Sequence, residues 1–204
     1  MRHLLALILT AAAVCFSVTA ADVTPAPDNL DLSVAENIAT PAVPAKAKPY
    51  IKGAMDQLRR YFVKDGFEVS MLRDGEVLRV SVPCSRLFPP CGVELKPSAA
   101  AVLKPFTTVV RDPAKYKILV TVHTDDTGDD MYADSITAAR ANAIDDYLWQ
   151  LAREEETNVV PYGLGRDEPL APNKSMAARA ANRRVEFIIV PDRELLLQSG
   201  VKIK

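Results

Sequence analysis

The chain has 204 residues, 49% of them hydrophobic, which is enough for one main domain with a sizeable core plus an extension. Its 25 basic and 26 acidic side chains leave a formal net charge of −1, which excludes the broad basic field that draws nucleic acid or an anionic lipid surface.

Residues 1–20 carry an Arg2-His3 head, an apolar run from Leu4 to Phe16 and a small-residue end at Val18-Thr19-Ala20, the pattern of a secretory signal cut after Ala20. The run is broken by Thr10 and Ser17 and falls short of the roughly 20 residues that span a bilayer. Val14 before Cys15 and the apolar Phe16-Ser17-Val18 after it argue against a lipidated cysteine. The remainder is expected in the periplasm, alongside the outer membrane. Two cysteines then remain, Cys84 and Cys91, flanking a short Pro-rich loop in an oxidising compartment. They are expected to pair, a local staple of roughly 2.5 kcal/mol, with two free thiols as the alternative.

Residues 21–48, rich in Ala and Pro, read as an extended linker. Residues 49–79 read as an extension of the domain. Ile51, Met55, Leu58 and Phe62 share one helical face closed by Asp65-Gly66, and a β-hairpin of Phe67 to Leu72 and Val77 to Val82 turns on Asp74-Gly75. Residues 80–190 read as the principal domain and 191–204 as a tail. Pro83 to Pro97 is a crossover loop with Leu87-Phe88 turned inward. Ser98 to Val110 is a helix, and Ile118 to Val122 is a strand buried on both faces. A helix from Ser135 to Arg153, capped by Asp134 or Ser135, buries Ile136, Ala139, Ala143, Ile144, Tyr147, Leu148 and Leu151 and leaves Trp149 and Glu154 to Glu156 in solvent. A short strand at Asn158 to Tyr162, a brief helix at Lys174 to Ala181 and a strand at Arg183 to Val190 follow. The order β-α-β-α-β-(α)-β predicts an α/β sandwich, a mixed sheet with helices on one face, preceded by the helix and hairpin. Too few strands precede the domain for a transmembrane barrel.

Between the central strand and the long helix lies a loop dense in carboxylates. Asp125 stands just past the strand and Arg140 lies on the helix that follows, so opposite charges can converge on one pocket and select a zwitterion. The bland readings are a turn-capping Asp125, a surface Arg140 paired with Asp134 or Asp145, and an Arg183 that only bridges to Asp125. Asp125, Asp126, Asp129 and Asp130 lack the alternating spacing of a calcium loop. His123 offers no histidine-rich zinc site, and Gly163-Leu164-Gly165 lacks the third glycine of a dinucleotide loop. No nucleophile–base pair can be named, so a cell-wall hydrolase is the weaker reading, and neither cofactor nor metal is expected.

The segments HTDDTGDDMYADSITAARA, His123 to Ala141, and GLGRDEPLAPNKSMAARAANRRVE, Gly163 to Glu186, resemble the OmpA-like C-terminal domain family over about Val80 to Val190. The resemblance implies non-catalytic binding of peptidoglycan, with Asp125 and Arg140 holding the zwitterionic end of a stem-peptide diaminopimelate. It further implies that Thr127, Asn182 and Arg183 belong to the pocket and that the chain anchors itself, or a larger envelope complex, to the wall. Val122 stands where the family has Gly, and Ala133 where it has an Asn that bonds the ligand, a role Asp134 could take over. The loop Phe88-Pro89-Pro90-Cys91 replaces an acidic F-D-x-D form and removes a carboxylate from the pocket wall.

Overall fold

A computed structural model describes residues 43–153 and 157–202. The readings for the signal, for most of the linker, for Glu154 to Glu156 and for the last two residues lie outside these. Helix α1, Lys48–Lys64, buries Ile51, Met55, Leu58 and Phe62. It stops at Gly66, whose φ of 80° lets Gly66 N bond Val63 O at 3.0 Å while Phe67 N bonds Phe62 O at 3.1 Å. The expected linker gives way to folded chain before residue 48, because Val43 and Ala47 are already buried in the core.

Strands β1, Glu68–Leu72, and β2, Val77–Pro83, form the expected hairpin. Its turn differs from the expectation. Leu72 pairs with Val77, so the loop spans four residues, with Arg73, Asp74 and Gly75 at φ of 50°, 55° and 90°. The reason lies outside the hairpin. Asp74 is held by Lys52 at 2.5 Å and Glu76 by Lys48 at 2.8 Å, which draws the loop onto α1.

The short α2, Cys84–Leu87, follows β2. The helix expected at Ser98 to Val110 is divided into α3, Ala99–Leu103, a 3-10 turn at Lys104–Phe106 and α4, Thr107–Val110. Pro105 has no N–H to continue an α ladder, and the tighter turn accommodates it. Strand β3, Tyr116–Val122, leads through the acidic loop to α5, Asp130–Leu151, then β4, Val159–Gly163, α6, Met176–Asn182, β5, Arg184–Pro191, and α7, Arg193–Gln198.

The five strands make one mixed sheet in the order β1-β2-β5-β3-β4, with only the β3–β4 pair parallel. This is the predicted sandwich. The inner face presents Leu78, Val80, Val82, Ile118, Val120, Val122, Val185, Phe187 and Ile189, all essentially solvent-free, to the helices. Phe62, Phe67, Phe106 and Phe187 meet there with centroids 4.0–5.7 Å apart. Burying each such side chain contributes roughly 1.5–3 kcal/mol. The expected boundary at residue 80 falls inside β2, which pairs with both β1 and β5, so α1 and the hairpin share one sheet and one core with the rest. The expected tail likewise forms α7 and buries Leu195, Leu196 and Val201.

Candidate functional site

The site forms where β3 runs out. His123 N donates to Arg184 O at 2.9 Å, Thr124 N to Gly165 O at 2.8 Å and Leu164 N to Val122 O at 2.9 Å, so the chain leaving β3 is fastened on both sides. Asp125 comes next and is 2% exposed. Its Oδ1 accepts from Thr127 N at 3.0 Å, and its Oδ2 accepts from Arg183 Nη1. Burial alone would raise the Asp125 carboxyl. The Thr127 amide and hydroxyl and the Arg183 guanidinium outweigh burial and hold it below its ordinary value.

Gly128, at φ of 87°, then turns the chain, and a Cβ there would meet the Tyr132 ring at 2.9 Å. Asp129 caps α5 by accepting from Tyr132 N at 2.8 Å. The helix therefore starts well before the expected Asp134 or Ser135 cap. Its first turn exposes Met131 and Tyr132 and so carries no apolar periodicity to read. The buried stripe of α5 includes Ala133, Ile136, Thr137, Arg140, Ala141, Ile144 and Leu148. Thr137 and Arg140 are its polar members. Thr137 Oγ1 accepts from Gly165 N at 3.0 Å, which ties the loop after β4 to the helix.

Arg140 is only 4% exposed, and among the described residues no carboxylate pairs with it. Its Nε donates to Gly92 O at 2.8 Å, and its Cζ lies 5.1 Å from the Phe88 ring centroid. Gly92 is seated by its own N–H on Pro89 O at 3.1 Å, after Cys91 at φ of 55°, and a Cβ on Gly92 would strike Pro89 at 2.5 Å. The Pro-rich loop is thereby shaped to hand Arg140 a carbonyl and a ring. A cavity of about 510 Å³ opens between this loop, the Asp125 loop and α5, within the usual size of small-ligand sites. A larger hollow of about 1110 Å³ between Tyr61, Lys104, Arg111 and Tyr147 receives no buried charge.

Asp125, Thr127, Arg140 and Arg183 all line the smaller cavity. Asn182 does not. It is fully buried, its Oδ1 accepts from Ala171 N at 3.2 Å, and its amide donates to Ala171 O at 2.8 Å and Asn173 Oδ1 at 2.7 Å, so it pins the loop before α6. Nor does Asp134 take the place of the missing Asn. It lies against Gly165, outside the cavity. Arg140 pairs with neither Asp134 nor Asp145. Sequence reasoning missed Phe88 as the ring under Arg140, the Gly92 carbonyl, Tyr132 and Lys96, all at the cavity or its wall. The phenylalanine of the family's loop motif was the available signal for the first of these.

The expected Cys84–Cys91 disulfide is not made. Both thiols are free, Cys84 buried and Cys91 exposed. Cys84 Sγ points inward toward His123 O at 3.9 Å, and burial pushes its thiol up to about 11. Cys91 is exposed in its left-handed turn at the cavity's edge, beside Tyr132.

On the opposite side of the sheet, His123 is buried with Nδ1 unpartnered and Nε2 3.2 Å from Thr121 Oγ1. Desolvation, with the Arg184 charge adding to it, lowers its pKa to about 4. Among the described residues no group of three or more His, Cys, Asp and Glu could hold a metal ion.

The OmpA family model matches residues 87–183, which contain all of this cavity's lining except Cys84 and Ser85. The outer-membrane lipoprotein YfiB of Pseudomonas aeruginosa is 34% identical over 73 residues, covering 36% of this chain and 43% of that protein. Alignments with the curated relatives span 22–57% of those proteins' lengths. Among solved structures, a MotB-like protein from Desulfovibrio vulgaris superposes with a TM-score of 0.60 at 28% identity, over 69% of this chain and 96% of that one. The cell wall anchor of the T6SS from Pseudomonas aeruginosa shares the fold, with a TM-score of 0.56 at 24% identity over 66% and 96% of the two chains. Residues 87–183 of this chain thus match the OmpA family model, and the sheet and helices described above share the fold of the MotB-like protein.

Proposed function

We propose that the chain binds peptidoglycan without cutting it, in the periplasm beside the outer membrane, by holding the zwitterionic end of a stem-peptide diaminopimelate in the 510 Å³ cavity. The observation that carries this reading is the buried Arg140, whose guanidinium has a carbonyl and a ring for company but no carboxylate. A charge so placed calls for an anion, and the planar guanidinium fork suits a carboxylate. Asp125 supplies the opposite sign, although it is already bonded by Arg183 and Thr127 and is a more occupied acceptor than an isolated carboxylate. Of the two thiols at the cavity, burial holds Cys84 protonated, and His123, the histidine that could activate Cys91 as a base, does not line it.

Its role is to anchor itself, or an envelope complex of which it is a subunit, to the wall. Similarity to an outer-membrane lipoprotein and the shared fold of a cell wall anchor support this placement. The test is co-sedimentation with sacculi containing diaminopimelate and with sacculi carrying lysine in its place. Wild type should pellet with the first alone and release no soluble fragments, and Arg140→Ala should stay in the supernatant while remaining folded by circular dichroism. Arg140→Ala pelleting as well as wild type would refute the pocket, and release of fragments would make the protein a hydrolase.

A further inference from the structure

Three cationic side chains, Lys96, Arg140 and Arg183, line the cavity against one carboxylate, Asp125. Asp125 is matched to Arg183, so Arg140 and Lys96 are left over. Among the described residues Lys96 has no ion-pair partner. Its backbone N–H is fixed to Leu87 O at 2.9 Å, and its exposed Nζ gives a hydrogen bond to Ser85 O, leaving two of its three donors free of that bond at the cavity's edge. The neighbouring loop could have neutralised this excess. It is built from Phe88, Pro89, Pro90 and Cys91, which carry no acid where the resembling family has an acidic loop. A neutral zwitterion would answer Arg140 and leave Lys96, at the open edge of the cavity, with only the Ser85 carbonyl and solvent.

Building on the peptidoglycan reading above, we infer that Lys96 forms a second anion subsite beside Arg140, so that the pocket takes a peptide bearing a further carboxylate next to its zwitterionic end. In a stem peptide that group is the α-carboxylate of the γ-linked glutamyl residue preceding diaminopimelate. Lys96 is then a specificity residue, discriminating peptides whose glutamyl carboxylate is free from those in which it is amidated. Arg140 remains the anchor for the zwitterion itself.

Calorimetric titration of the full chain tests this with two synthetic peptides, L-Ala-γ-D-Glu-diaminopimelate and the same peptide with the glutamyl α-carboxylate converted to the amide. Wild type should bind the carboxylate form about tenfold more tightly, the scale of one charge-assisted hydrogen bond. Lys96→Met should bind both peptides equally, at the affinity wild type shows for the amide, and Lys96→Arg should restore part of the difference. Equal binding of the two peptides by wild type would overturn the inference, as would a loss by Lys96→Met of the same factor on both. The wild-type comparison decides the matter even if Lys96→Met does not fold. Binding of neither peptide would refute the peptidoglycan reading itself. Binding of both with no discrimination would remove Lys96 alone.

Discussion

Arg140 and Arg184 are almost equally hidden, 4% and 5% exposed, yet their surroundings differ in kind. Arg184 Nε meets Glu186 Oε1 at 2.7 Å and its Nη1 meets Glu168 O at 3.1 Å. Arg79, at 3.8 Å, and His123, at 3.9 Å, complete the ring around the same glutamate. Glu186 and Arg184 are thus answered from within the chain, beside a His123 that its lowered pKa leaves neutral. Arg140 is answered by a carbonyl and the face of a ring. A buried cation with an internal partner maintains a fold. One without an internal partner stores a demand that a ligand can meet.

The sharpest way to break this contrast is to replace each arginine by an apolar side chain of similar length. Arg184→Met leaves Glu186 buried without its main partner and should destabilise the protein by roughly 3–5 kcal/mol in urea denaturation. Arg140→Met removes an unpaired buried charge and should leave stability within about 1 kcal/mol of wild type. Equal losses for the two would show that Arg140 is a structural residue after all.

Next in size are effects on binding that leave the fold intact. Asp125→Asn and Arg140→Lys should each weaken sedimentation with diaminopimelate-containing sacculi by about 1.5–3 kcal/mol, or roughly ten- to a hundredfold, the lysine keeping charge but losing the planar fork. Asp125→Asn should also free Arg183, which a rise in the salt sensitivity of binding would reveal.

A third effect separates the two regions by pH. The folded His123 pKa of about 4 lies below its ordinary 6.5, so the unfolded chain takes up a proton first and stability should decline as pH falls from 6.5 toward 4. Asp125, held below 3.8, adds its own loss only under more acid conditions. Urea midpoints at pH 7, 5.5 and 4.5 should fall in wild type and fall less in His123→Gln.

The smallest effect concerns the thiols. In native protein Cys91 should alkylate promptly and Cys84 only on unfolding, as mass spectrometry after timed iodoacetamide treatment would record. Failure of both to react without reductant would restore the disulfide.

Much of the fold was legible because periodicity reports which face of an element is buried. Ile51, Met55, Leu58 and Phe62 marked α1, and Val185, Phe187 and Ile189 marked the inner side of β5. The first turn of α5 was not legible, because Met131 and Tyr132 point to solvent and the Asp129 cap declares itself only through its bond to Tyr132 N. The pocket motifs brought out Asp125, Thr127, Arg140 and Arg183, and they also suggested Asn182, whose amide turned out to be used on Ala171 and Asn173.

By itself, then, the sequence determined the order of the elements, the sandwich and the opposite charges flanking the β3–α5 loop, since each follows from local spacing and residue type. Only the tertiary structure decided which charges are already satisfied. It gave Asp125 to Arg183 and the Gly92 carbonyl to Arg140, and it set Cys84 inward and left Cys91 exposed. Whether a charge is free for a ligand depends on partners 40 to 60 positions away along the chain, and no local pattern encodes them.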